Sequence, residues 1–420
     1  MTDSAATERT GAVYLDCAAT CPLDPRVAVE LRRFSEAEFG NAGSRTHEFG
    51  RLARQAVERA RAHVARVVDA GRNEVVFTSG ATEANNLAIL GLEAFGRAHG
   101  RKHLVSTRIE HHAVLEPLRA LAERGFELTL IEPEPGGWMD AGRVAAAVRP
   151  DTLLVSVMQV NNETGVVQPV DAIAERLEDA GAEAFLHVDA AQGFGKAIEP
   201  LRSKRIDLIS ISAHKICGPK GIGALIARRR GTDKPPLTPL LHGGGQEMGL
   251  RPGTLPVALI AAFGRAAELA LEEHGVRRDA ATVFARRLLD GLAALAPRVN
   301  GDPERRIPYI LNLWIPDWDK ETLIEAWAPF AAISDGAACT SQSYTCSHVL
   351  AAMGVEGQAE TGAVRLSWCH LTEEPDVAAM VEACRPGGRR TDGGASQSTG
   401  QGTTGRTEAR AERVAAGRPS

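Results

Sequence analysis

The sequence predicts an α/β protein: a large domain built on a mostly parallel β-sheet, followed by a smaller α+β domain. Between about residues 75 and 230, short β-rich segments alternate with segments of helical periodicity. The β-rich segments are continuously apolar, as expected for parallel strands that helices cover on both faces. After residue 256, two long helical segments precede shorter strands and helices, and these predict the smaller domain.

Seven β-rich segments account for the predicted seven-stranded sheet of the large domain. They read EVVFT, KHLVST, FELTLI, TLLVSVM, AFLHVD, DLISIS and GALIARR. Helical segments lie between most of them, and RLARQAVERARAHVARVV at residues 51–68 has the apolar spacing of an amphipathic helix.

The chain divides into four predicted parts. Residues 13–30 form an N-terminal segment that we expect to pack with the small domain, and residues 31–255 form the large domain. Residues 256–385 form the small C-terminal domain. Residues 386–420 are mostly Gly, Ser, Thr and Arg, so they cannot bury a core and are predicted to be a disordered tail.

The composition narrows the classes of function. The chain has 420 residues, 44% of them hydrophobic, and a net charge of −5, which disfavours direct nucleic-acid binding as a main task. The first residues contain no apolar run, and no window approaches the length of a membrane span. We therefore expect a cytoplasmic protein with reduced thiols and no membrane partner.

The seven cysteines are odd in number and show no paired CxxC spacing. The sequence therefore predicts no metal in the resting protein. Most of the cysteines are expected to pack in the core.

The segment TSGATEANN places small and hydroxyl residues where a predicted strand ends and a helix begins. Free N–H groups at a helix N-terminus suit an anion, most often a phosphate. Residues Ser79 to Thr82 are therefore a candidate phosphate site. Ordinary capping by Ser or Thr, with Glu83 in the first turn, remains the alternative.

The segment EHHAVLEPL places His111 and His112 between a strand and a helix. Adjacent residues of a helix point apart, so a shared metal ion is disfavoured. His111 is a candidate to stack on a planar ligand, whereas a surface or capping role is the alternative for His112.

The segment VNNETG places Asn161, Asn162 and Glu163 directly after the strand TLLVSVM. Polar side chains at the carboxyl ends of strands mark the binding edge of an open α/β sheet. An ordinary turn is the alternative, because Asn and Gly favour turns.

Asp189 ends the strand AFLHVD, and Lys215 closely follows the strand DLISIS. The two residues could form a structural ion pair, or both could face one cofactor. Pyridoxal phosphate needs a lysine for a Schiff base, an acid for the pyridinium nitrogen, a stacking ring and a phosphate cup. Lys215, Asp189, His111 and residues Ser79 to Thr82 could supply these four groups.

Nine motifs in this order resemble those of the NifS/IscS-type cysteine desulfurases, which are fold-type I pyridoxal-phosphate enzymes. The resemblance covers about residues 12–375. The motifs are YLDCAAT, TSGATEANNLAI, EHHAVLEPL, VNNETGVVQPV, HVDAAQ, SAHKICGPKGIGAL, HGGGQEMGLRPGTLP, SDGAACTS and VRLS.

The resemblance implies a role for each matching residue. Lys215 would form the Schiff base, Asp189 would hold the pyridinium nitrogen, Gln192 would bind the ring hydroxyl, and His111 would stack on the ring and move protons. The phosphate would be held by Ala81, Thr82, Ser212 and His214. The carboxylate of L-cysteine would be bound by Asn162 and Arg365, because the arginine fork binds a carboxylate bidentately.

Thr254 of RPGT matches a threonine that reaches the phosphate in the neighbouring subunit, so the resemblance implies a homodimer. Cys339 of SDGAACTS matches the catalytic cysteine, which attacks the substrate sulfur as a thiolate and retains it as a persulfide. A protein sulfur acceptor follows from this chemistry. The Cys339 persulfide could also transiently ligate an iron–sulfur cluster. Cys346 is a candidate either for a disulfide with Cys339 or for relaying sulfur from it.

The run FGNAGSR resembles the desulfurases of DNA phosphorothioation (Dnd) systems, while iron–sulfur assembly and tRNA thiolation use the same chemistry. Several family positions differ here, including Cys21, Met248, Pro252, Trp368 and Cys369. The alternatives to a desulfurase are a selenocysteine lyase-like enzyme of the same fold and a non-catalytic scaffold of a DNA-modification complex.

Overall fold

The computed structural model describes residues 11–336, 347–355 and 362–385. Within these ranges the strands are β1 (Val13–Tyr14), β2 (Val75–Thr78), β3 (His103–Thr107), β4 (Glu127–Ile131), β5 (Thr152–Met158), β6 (Phe185–Asp189), β7 (Leu208–Ser212), β8 (Gly223–Ala227), β9 (Arg298–Asn300), β10 (Ile310–Trp314), β11 (Ala331–Ala332) and β12 (Ala363–Ser367). The α-helices are α1 (Pro25–Glu36), α2 (Glu48–Val67), α3 (Ala81–Leu90), α4 (Glu93–Ala98), α5 (His112–Glu123), α6 (Ala141–Ala146), α7 (Val170–Asp179), α8 (Val257–Glu272), α9 (His274–Leu292), α10 (Lys320–Trp327), α11 (His348–Ala352) and α12 (Val377–Ala383).

The central sheet has seven strands in the order β2-β8-β7-β6-β5-β3-β4. Strand β8 runs antiparallel to both of its neighbours, while the other adjacent pairs are parallel. All strands except β8 therefore point the same way, and their carboxyl ends meet at one edge of the sheet. This arrangement confirms the predicted α/β fold with a mostly parallel seven-stranded sheet.

Alternate residues of the strands bury their side chains against two layers of helices. Helices α1, α2, α6, α7 and α8 share one apolar core with one face of the sheet. Helices α3 and α5 share a second core with the opposite face. Because both faces are covered, the strands consist mostly of buried apolar residues.

A three-stranded antiparallel sheet in the order β12-β10-β9 forms the centre of the smaller part. It shares an apolar core with α9, α10 and α12. The N-terminal segment joins this part: β1 pairs with β11, and the Ser367 N–H donates to the carbonyl of Leu15 at 2.8 Å.

Helix α8 packs into the core of the large sheet, although the division at residue 256 assigned it to the small domain. That division stays a prediction, and the packing favours a boundary nearer the start of α9. The predicted tail at 386–420 lies outside the described residues. Among the helices of the described part of the chain, none is long and apolar enough to cross a membrane.

Candidate active site

A cavity of about 580 Å³ opens at the carboxyl ends of the central strands. Ten of the residues that the sequence singled out line it together. They are Ala81, Thr82, His111, Asn162, Asp189, Gln192, Ser212, His214, Lys215 and Arg365.

Lys215 lies in a short 3₁₀ turn, Ala213–Ile216, directly after β7. Its Nζ donates to the carbonyl oxygens of Ala18 at 2.5 Å and Ala19 at 2.8 Å. The N-terminal segment therefore forms one wall of the cavity. The motif YLDCAAT belongs to the resemblance, but no site role was predicted for its backbone.

Asp189 ends β6, and its carboxylate accepts two hydrogen bonds. The Ala191 N–H donates to Oδ1 at 2.9 Å, and Nδ2 of Asn85 donates to Oδ2 at 2.8 Å. These donors orient a carboxylate that is only 5% exposed. Asn85 was not predicted as a site residue. The available signal was its helical spacing of three residues from Thr82 on α3.

A row of buried polar side chains crosses the sheet close to Asp189. Ser156 Oγ lies 2.8 Å from Nδ1 of His187, and Nε2 of His187 lies 2.9 Å from Ser210 Oγ. Burial lowers the pKa of His187 to about 4, so its ring is neutral at physiological pH. The row links β5, β6 and β7. Asp189 ends β6, and Lys215 lies in the turn after β7.

His111 is the N-cap of α5, and its Nδ1 accepts from the Ala113 N–H at 3.1 Å. Because Nδ1 is an acceptor, the neutral ring carries its proton on Nε2. Burial first, and the Lys215 charge after it, lower the pKa of His111. His111 thus caps a helix and lines the cavity, whereas His112 lies 3.6 Å from Glu116 on the outer side.

Helix α3 begins beside the cavity with Gly80 as N-cap and no side-chain hydrogen bond to cap it. Capping by Ser or Thr, the alternative weighed for this segment, is therefore absent from α3 in the described structure. Gly223 of β8 approaches closely, since a Cβ there would lie 2.7 Å from the Gly80 Cα. The exposed N-terminal turn of α3 fits an anion such as a phosphate.

His214 faces the same end of the cavity, and its Nδ1 lies 3.2 Å from Oγ1 of Thr20. Burial, followed by the Lys215 charge, lowers the pKa of His214 to about 4. A neutral imidazole can still donate one N–H to a phosphate.

Arg365 reaches the cavity from β12 of the small sheet. Its Nη2 donates to Asp16 Oδ1 at 2.7 Å, and its Nη1 donates to the Asn162 carbonyl at 3.0 Å. Within the described part of the chain, Nε of Arg365 and Oε1 of Gln192 are buried without a hydrogen-bond partner. These polar atoms, with Lys215 and the anion site, fit pyridoxal phosphate and a carboxylate substrate.

Thr254 is a predicted site residue that does not line this cavity. Thr254 lines a different cavity of about 430 Å³, together with Asn41 and Met248. Cys339, with the candidate relay residue Cys346, falls outside the described residues.

Glu110 is a buried acid beside the cavity that the sequence analysis did not single out. Its Oε1 accepts from Thr107 Oγ1 at 2.7 Å and from the Met158 N–H at 2.8 Å. Burial raises its pKa to about 8. Lys220 and Met158 also line the cavity without having been predicted.

Comparison with known proteins places this geometry in a family. The chain matches the class-V aminotransferase family over residues 13–380. It is 43% identical to cysteine desulfurase IscS of Vibrio cholerae over 376 residues, which is 89% of this chain and 92% of the relative.

Two solved structures extend the likeness. DndA from Streptomyces lividans is 50% identical in sequence, with a TM-score of 0.74. The match covers 85% of this chain and 99% of DndA. SspA in complex with cysteine is 34% identical in sequence, with a TM-score of 0.74. The match covers 85% of this chain and 98% of SspA. The chain therefore belongs to the class-V aminotransferase family, in its NifS/IscS-type cysteine desulfurase branch.

Proposed function

We propose that this protein is a pyridoxal-phosphate-dependent desulfurase that converts L-cysteine to L-alanine and forms a persulfide on Cys339. One observation carries the proposal: a single cavity gathers Lys215, Asp189, His111 and Arg365 at the carboxyl edge of the sheet. An amine, a carboxylate, an imidazole and a guanidinium together meet the needs of this cofactor and of an amino-acid substrate.

The residues around the cavity would hold the cofactor at both ends. Lys215 would attach it through its amino group, and Asp189 would bind the pyridinium nitrogen. The α3 N-terminus, with Thr82, would bind the phosphate together with Ser212 and His214. Bound pyridoxal phosphate would withdraw electrons from the substrate Cα, so that its proton can leave and its side-chain bond can weaken.

The substrate would be held by this chain's own polar groups. Arg365 and Asn162 would bind the carboxylate of L-cysteine, and Asp16 orients the Arg365 fork. His111 keeps its Nε2 proton while Ala113 fixes Nδ1, so the ring is held in one orientation. The Lys215 amine is the base proposed to take the Cα proton.

Cys339 would complete the reaction as a nucleophile. Its thiolate forms an S–S bond with the substrate sulfur while the Cβ–S bond breaks, and the remaining three-carbon unit takes protons and leaves as alanine. L-cysteine and the Cys339 thiol thus become L-alanine and a Cys339 persulfide, with no external oxidant.

A homodimer is the proposed working unit. Thr254 is exposed and lies outside the main cavity of its own chain, as expected for a residue that serves a second copy. Met248, which lines the same second cavity, is 46% exposed, and Phe39, two residues before the cavity residue Asn41, is 67% exposed. Exposed apolar side chains of this size suit a protein interface.

The proposed acceptor of the persulfide sulfur is a protein of a DNA-modification system. The 50% identity to DndA and the FGNAGSR run favour it over iron–sulfur assembly or tRNA thiolation. The cytoplasmic location stays a prediction.

Purified protein incubated with L-cysteine and a reductant tests the activity. Alanine and sulfide should form in equal amounts, and an absorbance band of the bound cofactor should disappear in Lys215→Ala. Cys339→Ser should keep the band but release no sulfide. Normal sulfide release by Cys339→Ser would exclude the persulfide route.

The same assay separates the alternatives. Turnover of selenocysteine but not of cysteine would favour a selenocysteine lyase. Pure protein with neither a cofactor band nor turnover would favour a scaffold.

A further inference from the structure

Four cysteines from three distant parts of the chain meet in one buried cluster. Cys17 and Cys21 belong to the N-terminal segment, Cys217 follows the Lys215 turn, and Cys369 follows β12. Each is at most 8% exposed. Most of the cysteines were expected to pack in the core, and the spacing of these four in sequence shows no pattern that would bring them together.

The sulfur atoms fall into two overlapping groups that share Cys369, and each group is compact enough to hold one ion. Those of Cys17, Cys21 and Cys369 lie within 4.8 Å of one another, and those of Cys217 and Cys369 lie within 4.8 Å of each other and of a His370 ring nitrogen. Cys21 and Cys217 are also in side-chain contact. In a tetrahedral site with metal–sulfur bonds of about 2.3 Å, the sulfurs lie ~3.8 Å apart. Small side-chain shifts would therefore complete such a site.

Simple packing explains this cluster less well than ligation does. Buried cysteine behaves as a small apolar residue, and many other residues can fill that role. Cys217, however, occupies the left-handed region at φ 62°, which is unfavourable for a non-glycine side chain. Cys21 and Cys369 stand where the desulfurase motifs have other residues. Three separate segments of the chain thus each contribute cysteine thiols to the same buried cluster.

The surroundings of the cluster suit thiolate ligands. Thr372 Oγ1 lies 3.8 Å from the sulfurs of both Cys17 and Cys369, where a hydroxyl can donate to bound thiolates. Cys21 lines a cavity of about 600 Å³ that provides an entry path. The buried Lys196 ammonium acts electrostatically on Cys21 and can offset part of the negative charge of the site.

We propose that Cys17, Cys21, Cys217 and Cys369 bind one zinc-type divalent cation in a structural tetrathiolate site. Binding releases the four thiol protons to solvent and leaves a net charge of −2 at the site. The ion would tie the N-terminal segment to the Lys215 turn and to the end of β12. Four sulfurs gathered around one centre favour a single ion over a cluster of several iron atoms, which would hold them farther apart.

The test uses the full chain with its cofactor, in a Cys339→Ser background so that this thiol cannot compete for metal. After a brief chelator wash, elemental analysis should find about one zinc per chain. Cys21→Ser and Cys369→Ser should each reduce the content to less than about a fifth, because a tetrahedral structural site needs all four ligands. Cys384→Ser is the matched control, since it removes a buried cysteine outside the cluster and should leave zinc unchanged.

Cobalt loading keeps the proposal testable even if a variant fails to fold. Cobalt(II) added to the metal-free Cys339→Ser protein should produce the intense ligand-field and sulfur charge-transfer bands of a tetrahedral tetrathiolate. The proposal would be overturned if elemental analysis found no zinc and the cobalt-loaded protein showed none of these absorbance bands. Three further results would also overturn the proposal. They are disulfides between these cysteines in mass analysis without reductant, bound iron with inorganic sulfide, and an unchanged zinc content in the Cys21 and Cys369 variants.

Discussion

At the scale of single residues, two buried carboxyl groups near the cavity have different surroundings. Asp189 accepts one backbone and one side-chain N–H, with one donor on each oxygen. Glu110 receives both of its donors on Oε1, while Oε2 is buried without a partner among the described residues. Asp189 thus has one donor on each carboxylate oxygen, whereas burial raises the pKa of Glu110 and favours its protonated acid.

Glu110 makes stability depend on pH. Its pKa is raised to about 8, so between about pH 4.5 and 8 the folded chain retains a proton that the unfolded chain has lost. Stability should therefore fall as pH rises through this window. Glu110→Gln keeps an acceptor oxygen and removes the titrating group. Over the same pH window, we expect the free energy of unfolding of this variant to fall by on the order of 2–4 kcal/mol less than that of the wild type.

Urea unfolding near both ends of this window measures the effect. Glu123→Gln, an exposed substitution on α5, is the control and should retain the wild-type dependence. A wild-type dependence in Glu110→Gln would show that Glu110 is not the titrating group.

Arg365→Lys should impair substrate binding more than cofactor binding. Lysine keeps the charge but cannot replace the fork that contacts Asp16 and the Asn162 carbonyl. We expect KM for L-cysteine to rise roughly 10- to 100-fold, with the cofactor band unchanged. Steady-state kinetics and absorbance spectra check this. An unchanged KM would remove Arg365 from the substrate site.

At the scale of elements, the contact of β2 with β8 positions the start of α3. Strand β8 pairs with β2, and Gly223 at its first position faces Gly80, the N-cap of α3. The proposed anion site therefore depends on two glycines that lie far apart in sequence. Neither motif alone indicates that the two meet.

Gly223→Ala should disturb this anion site. The new Cβ would lie 2.4 Å from the Ile211 carbonyl oxygen and 2.7 Å from the Gly80 Cα, and both are backbone atoms. We expect a loss of about 1–3 kcal/mol in stability and a measurably weaker affinity for pyridoxal phosphate. Thermal unfolding and cofactor titration measure the two effects.

Gly275→Ala in α9 is the matched control, because a Cβ there meets no atom within 4 Å. It should leave cofactor affinity unchanged. Equal effects of the two substitutions would contradict the close-approach argument.

At the scale of the whole molecule, the cavity is built from parts that only the complete fold brings together. The N-terminal segment supplies the carbonyls that contact Lys215, the large sheet supplies Lys215 and Asp189, and the small sheet supplies Arg365. The proposed dimer would add Thr254 from a second chain.

Thr254→Val should weaken cofactor binding even though Thr254 lies outside the cavity of its own chain. Loss of a hydroxyl donor to a phosphate is expected to raise the dissociation constant of pyridoxal phosphate by roughly tenfold. Thr282→Val on α9 is the control, since that hydroxyl donates only to the Arg278 carbonyl. Light scattering should show a dimer for both variants, and unchanged affinity in Thr254→Val would argue against the shared site.

Local patterns were sufficient for much of the fold and of the predicted site chemistry. The seven strands of the sheet, the helix at TEANNLAIL and the polar residues at the strand ends all follow from apolar periodicity and from glycine and asparagine signals. Lys215, Asp189 and His111 were singled out because a polar group after a buried strand is uncommon unless it binds something. They do line one cavity.

The tertiary structure decided which distant residues meet. The contact of Cys21 with the Lys215 carbonyl joins positions 194 residues apart, and the hydrogen bond between Asn85 and Asp189 spans 104 residues. No local period encodes such contacts, because they depend on how helices and sheets pack as whole elements. Sequence alone therefore determined the kinds of chemical groups available to this protein. The packing of three separate segments determined that four cysteines share one buried point and that the N-terminal backbone closes the candidate site.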